Sequence, residues 1–169
     1  MQEKGRLPEQ KPAVTGSGLS LFGQAAGATV EEALNNFIDQ ARPGDYIALL
    51  AYLEENPQTN DALEKIRLNL RDRTHLATTA GYGPRYLHST GQIHKGGPNT
   101  GLFIELTQDE PDTVQIPGQR YSFGRFNLAQ AQGDFEVLQK HGRRVIRIHL
   151  GDSVKEGLAQ VNRAFAGRP

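Results

Sequence analysis

A three-layer α/β/α sandwich around a parallel sheet of four or five strands is the fold class this 169-residue chain predicts, and three observations predict it. Two near-continuous apolar runs of strand length, DYIALLAYL (45–53) and LFIEL (102–106), read as strands buried on both faces, which is the habit of parallel sheets. Helical periods alternate with strand-length runs in the order helix, strand, helix, strand, short helix, strand, helix, strand, helix, as crossover-connected sheets require. No internal repeat or low-complexity tract interrupts the core, so a solenoid is excluded.

The elements follow in order. Residues 1–18 are rich in Lys, Glu, Gln, Pro and Gly without periodicity, so they read as a flexible tail or linker, and residues 19–169 as one domain. Thr29 and Glu32 form a capping box. Val30, Ala33, Leu34, Phe37, Ile38 and Ala41 then keep the helical period until Pro43 and Gly44 stop it. After the strand 45–53, residues 56–60 turn the chain, and Leu63, Ile66 and Leu70 give a thinner stripe through a charged helix ending near Arg73. HLATTA (75–80) and LFIEL are expected as buried strands flanking the crossover 81–101. A loop with Pro111, Pro117 and Gly118 leads to a helix capped by Ser122 that carries Phe123, Phe126, Ala129, Ala131 and Val137 up to His141 and Gly142. VIRIHL (145–150) alternates more than the other strands and so is expected at an edge. A second box, Ser153 to Glu156, opens a last helix with Val154, Leu158, Val161 and Phe165 on one face.

Composition narrows the partners. Basic and acidic residues balance at 19 each, which removes the footprint of a nucleic-acid binder or a membrane-surface protein. Cysteine is absent, so neither disulfides nor thiolate zinc sites are available. No apolar stretch reaches the roughly 20 residues that span a bilayer, and the amino terminus is polar where a secretory signal would be apolar, so a cytoplasmic location is expected. Metal binding finds little support, because the five histidines show neither a His-Glu-x-x-His pattern nor an obvious carboxylate partner.

Polar chemistry concentrates in the run GYGPRYLHSTGQIHKGGPNTG (81–101), which holds two histidines, an arginine, a lysine, hydroxyls and six glycines. A crossover of this kind starts at the carboxyl edge of a parallel sheet, where open α/β folds bind ligands. With His88 near the start of a helix reaching about Lys95, helical geometry puts His88, Gln92 and Lys95 on one side and His94 on the other. An imidazole there either takes part in proton transfer or satisfies a nearby carbonyl. Arg85, after Pro84, either holds a phosphate or carboxylate or makes an ion pair at a strand end. The glycines let a ligand approach the backbone. Their spacing matches neither the dinucleotide fingerprint nor the Walker loop, so no nucleotide cofactor is expected. The candidate catalytic residue is His88, and the candidate substrate-binding residues are Arg85, Ser89, Thr90, Gln92 and Lys95. Glu54 and Glu55 fall on the same sheet edge, where each is either a general base or, as solvated loop carboxylates more often are, without a catalytic part.

The same run closely resembles the corresponding stretch in the phosphoglucose isomerase portion of bifunctional transaldolase/glucose-6-phosphate isomerases. RYSFGRFNLAQAQGDF (120–135) and GRRVIRIHLG (142–151) are also similar to that family, as is DYIALLAYL more weakly, so the resemblance covers about two thirds of the chain. It implies a sugar isomerase (SIS) domain, the second of two, with a flavodoxin-like sandwich. The implied reaction interconverts glucose 6-phosphate and fructose 6-phosphate through a cis-enediol, with a carboxylate base and no metal or organic cofactor. His88 corresponds to the histidine that assists ring opening. The implied partners are a first SIS domain of the same parent chain and a second copy in a homodimer. Departures accompany the likeness: the first SIS domain, the carboxy-terminal helix with its lysine and the transaldolase barrel have no counterpart, and the turn comparable to the glutamate-base motif reads NPQTND. The resemblance thus implies the carboxy-terminal part of a longer polypeptide, carrying part of an active site, or by itself a non-catalytic sugar-phosphate-binding or dimerisation module.

Overall fold

The computed structural model describes residues 10–109 and 114–166. The first nine residues of the expected tail, and Pro111, lie outside them. The chain order is β1 (Val14–Gly16), β2 (Leu19–Gly23), α1 (Val30–Ile38), β3 (Tyr46–Tyr52), α2 (Pro57–Thr74) and β4 (Ala77–Tyr82). A 3-10 turn (Arg85–His88), α3 (Thr90–Gly96), β5 (Gly101–Thr107), α4 (Phe123–Lys140), β6 (Arg144–His149) and α5 (Val154–Phe165) complete it. One six-stranded sheet runs β1-β2-β6-β5-β3-β4, with β6, β5, β3 and β4 parallel, β2 antiparallel to β6, and β1 antiparallel to β2. The predicted sandwich class holds, with an added antiparallel edge.

That edge corrects two expectations. Residues 14–23, placed partly in the tail, form a hairpin whose turn residues Ser17 and Gly18 both take positive φ, 53° and 79°, as a tight twisted hairpin turn requires. Because β2 pairs with β6 from Ser20 to Gly23, β6 lies inside the sheet rather than at its border. The parallel border is β4, expected to be buried but half-exposed along its length, because only β3 flanks it.

Caps fix the helices. Thr29 Oγ1 accepts from Glu32 N at 3.1 Å and Glu32 Oε2 accepts from Ala28 N at 2.8 Å, closing the box at the start of α1. The expected turn at 56–60 is the first turn of α2: Asn56 Oδ1 accepts from Thr59 N at 2.9 Å, and Pro57 sits where its missing N–H costs nothing. Ser122 and Ser153 cap α4 and α5 in the same way. Phe123 and Phe126, expected on the buried stripe of α4, are 52% and 39% exposed; its inward face is built from Ala131, Asp134, Phe135 and Leu138.

Two cores result. α1, α2 and α5 cover one face of the sheet over Leu49, Ala51, Leu102, Ile104, Ile146 and Ile148. α4, with Tyr86, covers the other over Ala48, Leu50, Tyr52, Phe103 and Val145. The path β3-α2-β4 uses the first face and the return to β5 through α3 uses the second, so the chain reverses direction between β3 and β5. A crevice at the carboxyl ends of those two strands is where such sheets bind ligands.

Candidate functional site

Segment 83–96 leaves the carboxyl end of β4 and stays beside β3, since Gly83 N donates to Ala51 O at 2.9 Å. Tyr86 anchors it: the ring is 5% exposed and meets Tyr52 edge-on, with centroids 6.0 Å apart at 75°. The glycines expected to admit a ligand serve this packing instead. A Cβ on Gly83 would stand 2.5 Å from the Tyr52 ring, and one on Gly91 would stand 3.0 Å from the Tyr86 carbonyl oxygen.

The helix expected from His88 to Lys95 is broken at Ser89, whose non-helical φ of -136° and ψ of -101° leave His88 in a 3-10 turn apart from α3. His88 ends the 3-10 turn and is exposed, with Ser89, Thr90 and Gln92 exposed beyond it. Ser89 Oγ donates to Tyr86 O and Gln92 Nε2 to Leu87 O, both at 3.3 Å, which steadies the joint between turn and helix. Two candidates point elsewhere. Arg85 makes an ion pair with Glu55, both side chains largely exposed. Lys95 turns to the carboxylate of Asp134, and its carbonyl accepts from Arg143 Nη2 at 2.6 Å. Lys95 therefore closes the domain where a ligand contact was expected, because a buried anion lies within its reach.

His94, on the inner side, is 4% exposed, with Nδ1 2.9 Å from Tyr46 OH and its ring 5.0 Å from that of Phe103. Burial pushes its pKa down, against the opposing pull of Asp134. His141 Nδ1 reaches Val137 O at 2.8 Å and so satisfies a terminal carbonyl of α4. His149 Nδ1 lies 3.2 Å from Thr107 Oγ1 and Nε2 lies 3.4 Å from Asp109 Oδ1, at the carboxyl ends of β5 and β6.

Beneath the segment lies a polar layer that periodicity alone did not identify. Glu105 is fully buried with neither carboxylate oxygen hydrogen-bonded. Its β6 neighbour in register, Arg147, is 4% exposed and its guanidinium stacks on Phe22 at 4.2 Å and Phe135 at 5.1 Å. Asp134, 4% exposed, accepts a hydrogen bond from Tyr86 OH. Burial, then the Asp134 charge, raise the Glu105 pKa well above the usual carboxylate range, against the pull of Arg147 and Lys95. Burial likewise raises Tyr52 and Tyr86. The signal was present in the sequence as single charges inside apolar periods, Glu105 in LFIEL, Arg147 in VIRIHL and Asp134 in the α4 stripe.

An open groove of about 560 Å³ lies elsewhere, lined by Glu31, Glu32, Asn35, Asp39 and Arg73 on the α1, α2 face, where Arg73 is held by Asp39 at 2.8 Å. It shares no lining residue with the His88 segment. Among the described residues no three metal-ligating side chains converge, and no helix is long and apolar enough to cross a membrane.

No family model matches the chain. No curated protein matches it. Eight solved chains do, among them the crystal structure of hypothetical protein TT0462 from Thermus thermophilus. That likeness has a TM-score of 0.65 at 16% identity over 82% of this chain, and this chain spans 39% of that one. What the likeness establishes is the fold: a mostly parallel six-stranded sheet between two helical layers.

Proposed function

We propose that the chain is a sugar isomerase domain, the second of a glucose-6-phosphate isomerase of the transaldolase-fused kind, with His88 as the acid/base that opens the hexose ring. The observation that carries this reading is the placement of the HSTGQ string: His88 stands exposed where the chain leaves the carboxyl edge of the sheet, beside the reversal between β3 and β5. Imidazole can take a proton from the anomeric hydroxyl and return one to the ring oxygen near neutral pH, the exchange that ring opening requires. Ser89, Thr90 and Gln92 supply neutral hydrogen-bonding groups suited to sugar hydroxyls. Arg85 offers a guanidinium to the phosphate if the Glu55 contact is exchanged for it.

The turn comparable to the glutamate-base motif reads NPQTND, so the carboxylate that moves a proton between C2 and C1 is expected from another segment. Glu105 is sealed and Asp134 is held by Tyr86 and Lys95. This favours a split site, completed by the first sugar isomerase domain or by a second copy, in a cytoplasmic enzyme that needs no cofactor. The same engagement of carboxylates favours a second reading for the chain alone, a non-catalytic sugar-phosphate-binding or dimerisation module. Titrating the 169-residue chain with fructose 6-phosphate while assaying isomerisation separates the cases. Binding without turnover is expected, since a divided site loses the proximity on which catalysis depends. Absence of any fructose 6-phosphate binding would remove the isomerase and sugar-phosphate-binding readings and leave only dimerisation.

A further inference from the structure

We propose that Asp134 is the positioning residue of the His88 segment: from α4 its carboxylate ties the 3-10 turn and α3 to the second layer of the domain, and so sets where His88 stands. Tyr86, two residues before His88, donates its hydroxyl to Oδ2, and Lys95, in the last turn of α3, brings Nζ to Oδ1. One buried anion therefore grips the segment on both sides of the exposed His88 to Gln92 stretch.

The segment needs such a grip. α3 has seven residues, too few to persist without tertiary support, and its cap residue Ser89 makes no side-chain capping bond. Its other anchors each act on one side alone: His94 to Tyr46 and Arg143 to the carbonyls of Lys95 and Gly97 on the α3 side, Tyr86 against Tyr52 and Arg85 to Glu55 on the turn side. Gln92 Nε2 joins α3 to the Leu87 carbonyl from within the segment, and Asp134 meets both the turn and α3 from a separate element, α4. The carboxylate is also a poor choice for stability by itself. Aspartate in mid-helix competes with the backbone, and burying a charge beside Phe135 and near Glu105 carries a desolvation cost that an apolar residue would avoid. Geometry, rather than net stability, accounts for its presence.

The structural part of this inference stands on contacts; its consequence for chemistry rests on the sugar isomerase reading. Amide hydrogen exchange on the whole chain tests the first part. In Asp134→Asn, amides of 85–96 are expected to exchange about tenfold or more faster, while those of β3 and β5 stay within about twofold. Tyr86→Phe, which deletes one hydroxyl, carries the same expectation in smaller measure and serves if the first variant fails to fold. Exchange in 85–96 that is unchanged, or that rises only in step with β3, would overturn the clamp. In the same samples, fructose 6-phosphate titrated against the His88 imidazole resonance should bind about tenfold more weakly in Asp134→Asn than in the wild type. A wild-type resonance that fructose 6-phosphate leaves unmoved would count against the sugar isomerase reading, with the clamp still decided by the exchange result.

Discussion

Under α1, α2 and α5 the buried side chains of β3, β5 and β6 are all apolar, whereas alternate positions of the same strands under α4 carry Tyr52, Glu105, Thr107 and Arg147. Both faces are excluded from water to a similar degree. They differ in what exclusion does. On the first face every buried side chain gains from leaving water, at ~25 cal/mol per Å² of apolar surface. On the second, that gain is offset by buried polar groups, which repay their desolvation only through partners of fixed geometry. The face that gives up stability is the one beneath the candidate site, and the polar groups there do the aligning.

Substitutions can break or sharpen this contrast. The largest effect is expected on the apolar face: Phe37→Ala should cost ~3–5 kcal/mol in urea unfolding, since Phe37 is completely buried and its helix cannot collapse into the void. A loss below about 1 kcal/mol would show that this face is not the stability core. His88→Ala should do the reverse. In a polypeptide carrying the complete site it should lower isomerisation of the closed-ring hexose phosphate ~100-fold or more, equivalent to ~2.7 kcal/mol of barrier, while leaving the unfolding midpoint nearly unchanged. Full turnover in that variant would remove His88 from the reaction.

Glu105→Gln comes next and tests the polar face through pH. Burial raises the folded-state pKa of Glu105 above its unfolded value, so the folded protein holds the proton more tightly. The stability from that proton is fully present below the ordinary carboxylate pKa and is lost as pH rises through the raised folded value. The Gln variant, unable to ionise, should therefore gain about 1 kcal/mol or more over the wild type at pH 9 and show a flatter profile, followed by thermal unfolding. His94 acts with the opposite sign: its lowered folded pKa makes stability fall as pH drops through about 6.5, a limb that His94→Gln should flatten. Parallel profiles for wild type and Glu105→Gln would mean that the Glu105 carboxyl does not titrate differently on folding. The smallest effect belongs to Glu55→Gln. Its ion pair with Arg85 joins side chains 46% and 74% exposed, so unfolding should shift by less than ~1 kcal/mol.

Several parts of this arrangement were legible along the chain. Capping residues Thr29, Ser122 and Ser153 mark real helix starts, since a cap needs only its own next turn. The apolar runs at 45–53 and 102–106 are central parallel strands because double-sided burial imposes continuous hydrophobicity. The position of VIRIHL was misread, since its outer neighbour β2 comes from more than a hundred residues earlier and one edge strand leaves little local signal. Within the site, His88 and Gln92 are both exposed although the break at Ser89 puts them in different elements, and Lys95 does not join them, because Asp134, far along the chain, draws it inward.

Local sequence determined the sandwich class, the starts of α1, α4 and α5, the buried strands β3 and β5 and the concentration of polar groups in 81–101, since each depends on neighbours within a few residues. Tertiary structure alone decided the strand order, the antiparallel hairpin beside β6, the burial of Glu105 and Arg147, and the diversion of Lys95 and Arg85 to Asp134 and Glu55. The reason is physical: whether a charged side chain faces water, a ligand or another charge depends on what the fold brings within a few ångströms of it, and those partners stand tens of residues away in the chain.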